Sequence, residues 1–592
     1  MLPQINEKSD LVIASFVPAL LRKQFKTTPS RKPKSELIGD HAALLWIDIC
    51  SFSPLSNRLL LDQVKGVEQL SRILQNHYDY VLNLFIKFGG EPMVFAGDGV
   101  LAAWNCTFDE LPVVSLNAIA CGQEILTNKG ALDDLGNPLS LHVVTACGSC
   151  QLLELGGPDK RWLYTVLGEA LNDLRHTCKN REPGKVLLSP EILKTLNGNV
   201  KYVPAAYNSG VLDDRIDNLP VSRERDFFLS PAAISTLKFY LPNPLSYYLD
   251  FDQLKWIDEL RPVTIVFTQL HSAFPNSNVA TELLQNAVKI ITPIVIKHDG
   301  ILNQVWLDEK AANILIIYGP PPSAHKDNPI RGLLTAIDIK EVLSRAGFIN
   351  SVGVTTGKAF CGLLGNDILR QYTVIGDVVN LGARLAQLQF QQVCCDETTM
   401  KASRYEFNFS QPKKVLIKGS AAKESIWEVE SGAVKEEHQF LEMEVIGRKN
   451  ELALFQACFS RALSGERVSL IVEGESGIGK SKLLAHFQHH IQSGRNRVLT
   501  GSGDPVEHEI PYSSWRAIFS KLIGLDIETD QHAKQNIIAN FLGDELADLA
   551  SLLNVVFAFD FPESETVKSF SVQQRFTETK KLLVNLISLA AD

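Results

Sequence analysis

Asn380 and Arg384 stand four residues apart in the stretch 371–384, Gln-Tyr-Thr-Val-Ile-Gly-Asp-Val-Val-Asn-Leu-Gly-Ala-Arg. On a helix, that spacing projects both side chains from one face. A planar, permanently charged guanidinium beside an amide suits a phosphate ester whose charge grows during reaction. Two acids complement the pair. Asp48 lies near the end of an apolar run, 42–49, and Asp98 sits within Gly97-Asp98-Gly99, at the tip of a hairpin expected over 93–104. A carboxylate in a buried strand is costly unless it is paired or binds a metal. Taken singly, Asp48 reads as a capping or paired acid and Asp98 as a turn residue. Taken together on neighbouring strands, they could share divalent cations, as two-metal nucleotidyl transfer requires.

The elements that must position these residues occur twice. Tyr372-Thr373-Val374-Ile375-Gly376 has an imperfect copy about two hundred residues earlier, Tyr164-Thr165-Val166-Leu167-Gly168, followed by Asn172 and Arg175. In each copy a short β-rich run, a glycine turn and a helix are expected. Ahead of the first copy, the patterns predict a strand at 42–49, a helix over 59–88 ended by Gly89-Gly90, the hairpin, a helix at 115–128 and a strand at 141–146. The second pass opens at Glu259-Leu260-Arg261-Pro262 with a strand at 263–270, where Gln269 stands in the place of Asp48. A hairpin strand follows at 303–307, then a strand and turn at 353–357. Module one thus keeps both acids but has Asn172 and Arg175 only three apart, whereas module two lacks the first acid but has Asn380 and Arg384 properly spaced. If the modules pair head to tail, one composite site is complete and its twin is degenerate.

Composition bounds the alternatives. The chain has 592 residues, 45% apolar and 21% charged, long enough for three or more domains of ordinary soluble composition. A net charge of −9 with no long basic block argues against general nucleic-acid binding. No apolar run is read as reaching the roughly 18 residues of a membrane span. Residues 11–21 are read as a short packed helix, not a leader, because Glu7 and Asp10 precede them and Pro18 interrupts them. Ten scattered cysteines fit reduced thiols and an expected cytoplasmic location, and Cys147 and Cys150 are read as core residues, since no second pair or histidine cluster accompanies them.

These residues resemble the class III nucleotidyl cyclases, and most closely the bicarbonate-regulated soluble adenylyl cyclases. The resemblance covers residues 36–430 as two catalytic-type domains. It rests on Phe95-Ala96-Gly97-Asp98, on Glu259 to Phe267, on Tyr372 to Gly376 with Asn380 and Arg384, and on Pro412-Lys413-Lys414 before Lys418-Gly419. It implies two ferredoxin-like domains paired head to tail, and ATP as substrate. It also implies two Mg²⁺, for which Mn²⁺ or Ca²⁺ could substitute, on Asp48, Asp98 and the backbone carbonyl of Ile49. Asn380 would orient the ribose, Arg384 would stabilise the α-phosphate and Thr373 would select adenine. The turn Ser51-Phe52-Ser53 would hold phosphates through its amides, although Ser51 replaces a glycine of the family. Gln304 falls at the position of a base-contacting lysine, and His142 at that of a triphosphate-contacting lysine. In the degenerate twin, Arg175 remains of an anion-binding pair whose lysine is replaced by Val94, so weak control by bicarbonate is expected.

A third module follows. Val445-Ile446-Gly447-Arg448 with Glu451 resembles the start of signalling-type nucleoside triphosphatases. Gly474-Glu475-Ser476-Gly477-Ile478-Gly479-Lys480-Ser481 fits the P-loop pattern at every fixed position. A buried strand at 469–472 and a helix at 482–491 are expected on either side. The backbone between Gly474 and Gly479 would cradle phosphates, Lys480 would reach the terminal ones and Ser481 would hold Mg²⁺. No strand bearing the metal-binding acid of such domains is recognised between 483 and 592, so the module reads as incomplete. The expected boundaries are an N-terminal segment 1–35, first cyclase-type domain 36–230, connection 231–257, second cyclase-type domain 258–435 and P-loop domain 441–592.

Overall fold

The apolar run at 41–49 forms the strand His41–Ile49 with both faces buried, Ala42 and Leu44 on one and Ala43, Leu45 and Ile47 on the other. A strand apolar on both faces belongs inside a sheet. In the computed structural model it does: the order is Glu91–Ala96, Gly99–Cys106, His41–Ile49, Leu141–Ser149, Val186–Leu188, Gly210–Leu212, Tyr202–Pro204. The structure describes the chain apart from residues 1–6, 30–32, 61–65, 128–132, 134–135, 157–160, 217–228, 243–257, 272–276, 308–310, 321–323, 326, 405, 417–422, 431–446, 476–477, 493–497, 502–511, 526–530, 558–560 and 591–592. Lys418-Gly419, Val445-Ile446 and Ser476-Gly477 of the motifs above lie outside the described residues.

Helices Gly66–Lys87 and Leu111–Thr127 bury Leu70, Tyr78, Phe85 and Ile119 in one cluster with Ala43, Leu45 and Ile47. Their apolar stripes recur at helical spacing, which is why they lie on the sheet. The second domain repeats the plan. Its sheet runs Ile301–Leu307, Ala312–Tyr318, Glu259–Leu270, Asn350–Gly365, Cys394–Asp396, Lys423–Glu428, Lys413–Leu416, with Arg370–Ile375 paired onto Asn350–Gly365. In both domains the first four strands of the large sheet and two long helices follow a β-α-β-β-α-β order, with the first strand between the third and fourth, the short helix Phe52–Leu60 being an addition in domain one. Both hairpins also slip register at the same place, between Pro92 and Val94 and between Leu302 and Gln304. Val94 and Gln304 are therefore counterparts.

The chain divides into two compact units, Met1–Ser403 with Phe409–Ser431, and Arg404–Asn408 with Gly432–Asp592. Within the first unit, which also holds a three-stranded sheet of Leu37–Ile38, Gln151–Gly156 and Trp162–Leu167, the two large sheets share a core: Leu44, Met93, Leu101 and Val144 of one lie in the same cluster as Ile265, Phe267, Leu315 and Ile317 of the other. The N-terminal segment forms two helices, Glu7–Ser15 and Ala19–Thr27, and Val12, Phe16, Leu21 and Phe25 join that core. Residues 231–240, within the expected connection, form the helix Pro231–Leu237 and a further turn, with Ile234, Leu237 and Tyr240 buried. Gly353 to Gly357 does not end in a turn but continues through the sixteen-residue strand Asn350–Gly365, because Glu259–Leu270 pairs with residues 350–361 of it and Arg370–Ile375 with residues 360–365. One helix comes near a membrane span in length, although Glu282 and Lys289 interrupt its apolar run. The stretch Val279–Lys297 is long and apolar enough by length and composition. Its Leu284, Ala287, Val288, Ile291 and Val295 are buried, as in a core helix.

In the second unit, Phe519, Leu522, Ile538, Leu542, Leu553, Leu582 and Leu586 form a helical core. The buried strand expected at 469–472 is not formed: these residues have no regular structure and Ile471 is 83% exposed. A strand needs a neighbour to satisfy its backbone, and among the described residues this unit contains no strand for it to pair with.

Candidate active site

Asp48 occupies the next-to-last position of His41–Ile49, directly across from His142 on Leu141–Ser149. Its Oδ1 lies 3.2 Å from His142 Nδ1, and its Oδ2 lies 3.0 Å from Arg181 Nη1. Burial and the neighbouring Arg181 charge favour a neutral His142, and neither Asp48 Oδ1 nor His142 Nδ1 has a hydrogen-bond partner, although both atoms are buried. Asp98 stands in the turn between Glu91–Ala96 and Gly99–Cys106, and its Oδ2 accepts a hydrogen bond of 3.1 Å from the Ile49 amide. The hairpin thus brings the second acid beside the end of the strand that bears the first.

Burial raises both carboxyls to about 6; Arg181 opposes the shift at Asp48, whereas the neighbouring Asp48 charge adds to it at Asp98. Two desolvated acids, one with a buried oxygen lacking any donor, are held in a state that a cation would relieve. Asp48 and Asp98 are thus the residues that could hold a divalent metal here. Among the described residues no cluster of three or more His, Cys, Asp or Glu residues has metal-binding geometry. Remaining ligands would have to be carbonyl, phosphate or water oxygens.

The turn after Asp48 explains why a glycine suits position 51: Ser51 has φ +56°, the left-handed region in which a side chain is unfavourable. The helix Phe52–Leu60 starts immediately afterwards, so the amides at 52 and 53 belong to its first turn, where backbone donors lack intrahelical partners.

The second domain reaches this hairpin through two glutamines. Gln304 Nε2 donates to Phe95 O at 3.0 Å, and the Phe95 amide donates to Gln371 Oε1 at 3.2 Å. Both polar groups of one peptide residue, three positions before Asp98, are thus satisfied across the domain boundary. Gln371 opens the repeated motif, but nothing in its type assigns it this contact. Further along the boundary, Asn366 donates to Asp79 and Gln75 donates to the Gly365 carbonyl, at 2.9 and 3.0 Å. Thr373 is buried on Arg370–Ile375, opposite Gly362. Asn380 and Arg384 lie on the helix Asp377–Gln387, whose Val378 is part of the shared core while Val379 and Ala383 pack against it. Asn380 is exposed and Arg384 half-buried.

A cleft of about 630 Å³ between the two domains is lined by Val94, Arg175, Arg181, Gln269, Gln304 and Trp306 among others. Gln269 there donates to Asn313 Oδ1 at 2.7 Å, a neutral buried pair where the other domain has Asp48. The glycine of the first motif copy is fixed by space: Gly168 has φ +131°, and a Cβ would meet the Ser149 carbonyl oxygen at 2.1 Å. Cys147 and Cys150 are free and buried, as core cysteines are. In the second unit, Lys480 begins the helix Lys480–Gln492 and donates to the carbonyls of Gly474 and Glu475, each at 2.7 Å. Gly479 has φ +96°. Sequence reasoning missed Arg181, which lies beyond the helix Glu169–Cys178 in a segment with no motif.

Residues 332–431 match the family described as adenylate and guanylate cyclase catalytic domain, and residues 444–589 the family described as AAA ATPase domain. The chain is 25% identical to adenylate cyclase type 10 of Homo sapiens over 92% of its length, and 24% identical to that of Oryctolagus cuniculus over 99%. It spans 37% and 39% of the length of those relatives. Among solved structures it is similar to a class III adenylyl cyclase-like ATP-binding protein from Pseudomonas aeruginosa, with 11% identity, 67% of this chain and 93% of that one covered, and a TM-score of 0.43.

Proposed function

We propose that this chain, similar to type 10 adenylate cyclases across most of its length, converts ATP to 3′,5′-cyclic AMP and pyrophosphate. The site would be composite, formed by two ferredoxin-like domains paired head to tail as a pseudo-dimer. The observation that carries the reading is the buried Asp48–Asp98 pair, with Asp98 held on the Ile49 amide and Asp48 Oδ1 lacking a donor. Asp48, Asp98 and the Ile49 carbonyl would hold two divalent cations, Mg²⁺ or Mn²⁺. Bound there, the cations would acidify the ribose 3′-hydroxyl and neutralise the triphosphate. Arg384 meets the charge that grows on the α-phosphate during in-line attack, and Asn380 orients the ribose. The amides of Ser51, Phe52 and Ser53 take phosphate oxygens. Thr373 and Gln304 face the base, with ATP preferred over GTP by a margin on the order of 1 to 3 kcal/mol. Arg175 and Val94, which both line the cleft, support weak stimulation by bicarbonate, since one cation compensates a buried anion less than two. The P-loop of the second unit binds a nucleotide through Lys480 and Ser481.

The test is cyclic nucleotide formation by the purified chain with ATP or GTP and Mg²⁺ or Mn²⁺. Asp48→Asn and Arg384→Ala should each lower cyclic AMP formation by about a hundredfold or more while the fold, followed by circular dichroism, persists. Unchanged turnover in Asp48→Asn sinks the assignment. A second reading, a nucleotide sensor without turnover, is favoured by the engagement of the Gln304 amide with Phe95. It predicts nucleotide binding and no cyclic product in the same assay.

A further inference from the structure

Arg181 follows the helix Glu169–Cys178 and turns its guanidinium onto Asp48, 3.0 Å from Oδ2. Its side chain keeps 40% of its surface exposed, whereas the Asp48 side chain keeps 10%. The arginine therefore approaches the acid from the solvent side. It also lines the cleft of about 630 Å³ together with Gln304, so a nucleotide lying in that cleft would bring its phosphates within reach of the guanidinium. Guanidinium prefers planar, two-oxygen partners and keeps its charge at any working pH. A carboxylate already occupied by a divalent cation attracts it less, and a phosphate chain bound to the same cation attracts it more.

We propose that Arg181 is a polyphosphate-binding residue of the cyclase site, resting on Asp48 in the nucleotide-free protein and transferring to the phosphate oxygens when metal and nucleotide bind. The proposal rests on the cyclase reading above, since it requires a metal on Asp48. Arg181 acts on binding: it touches the phosphates that leave as pyrophosphate and takes no proton.

The experiment uses the full chain carrying Lys480→Ala, which suppresses phosphate binding at the P-loop. Calorimetric titration with inorganic tripolyphosphate in saturating Mg²⁺ is compared for Arg181, Arg181→Lys and Arg181→Gln. Mn²⁺ binding without nucleotide is followed in parallel by electron paramagnetic resonance. Arg181→Gln should weaken tripolyphosphate by about tenfold or more and Arg181→Lys by less, because lysine keeps the charge but not the fork. Mn²⁺ affinity in Arg181→Gln should be retained or increased, which also shows that the site has folded. The KM for the nucleotide should rise with kcat changed by about twofold at most. Unchanged tripolyphosphate affinity in Arg181→Gln overturns the proposal, and a rise in Mn²⁺ affinity alongside it would leave Arg181 only a competitor of the metal. Asp48→Asn separates the two readings: if it binds Mn²⁺ as the parent does, the metal assignment fails whatever Arg181 does.

Discussion

His77 illustrates how one side chain sets a condition on the whole first unit. It lies in Gly66–Lys87, 1% exposed, edge-on to the ring of Tyr78, and its Nε2 has no hydrogen-bond partner. Burial lowers its pKa from 6.5 to about 4. Between those values the unfolded chain binds a proton that the folded chain refuses, so the contribution to stability is whole above 6.5 and is lost as pH falls toward 4. Over the full window the loss is on the order of 3 kcal/mol. Urea unfolding at pH 8 and pH 5 should show a smaller pH-dependent drop in His77→Leu than in the parent. An equal drop in both would place the acid sensitivity elsewhere.

The N-terminal helices are the element whose role composition understated. Arg22 Nη2 donates to the Ile368 carbonyl of the second domain at 3.3 Å, and Lys23 pairs with Glu91 of the first at 2.6 Å. Phe25 is fully buried and meets the ring of Tyr240 edge-on at 6.2 Å. This pair of helices therefore joins both domains and the segment at 231–240. Phe25→Ala leaves a cavity against Tyr240 and should cost about 3 to 5 kcal/mol in the unfolding of the first unit. Chemical denaturation followed by tryptophan fluorescence measures it. A loss below about 1 kcal/mol would mean the helices only lie on the surface.

At the scale of the molecule, two compact units with separate cores imply two unfolding events. Scanning calorimetry should resolve two endotherms, since cooperativity follows the shared core within a unit. Within the first unit, the cluster common to both sheets predicts that the two domains melt together. ATP with Mg²⁺ should raise the transition of the second unit by a shift that Lys480→Ala abolishes. Persistence of that shift in Lys480→Ala would remove the P-loop from nucleotide binding.

The amino-acid sequence alone determined the internal repeat, the strand bearing Asp48, the hairpin bearing Asp98 and the helix with Asn380 and Arg384. Each is a local pattern, a period of two, a glycine turn or an i, i+4 spacing, and local patterns survive without knowledge of neighbours. The strain at position 51 was not legible there: the resemblance gave only a glycine replaced by serine, and the left-handed φ of +56° is a fact of the folded turn. Tertiary structure alone decided what these residues touch. Arg181 meets Asp48 across more than a hundred residues, and Gln304 and Gln371 reach Phe95 from the other domain, contacts that no spacing encodes. The run at 469–472 shows the reverse case: apolar sequence favours a strand, but a strand forms only where a neighbour completes its hydrogen bonds. Sequence thus fixed the chemistry available, and chain topology fixed which groups of that chemistry share a site, because strand order brings together residues that are remote along the chain.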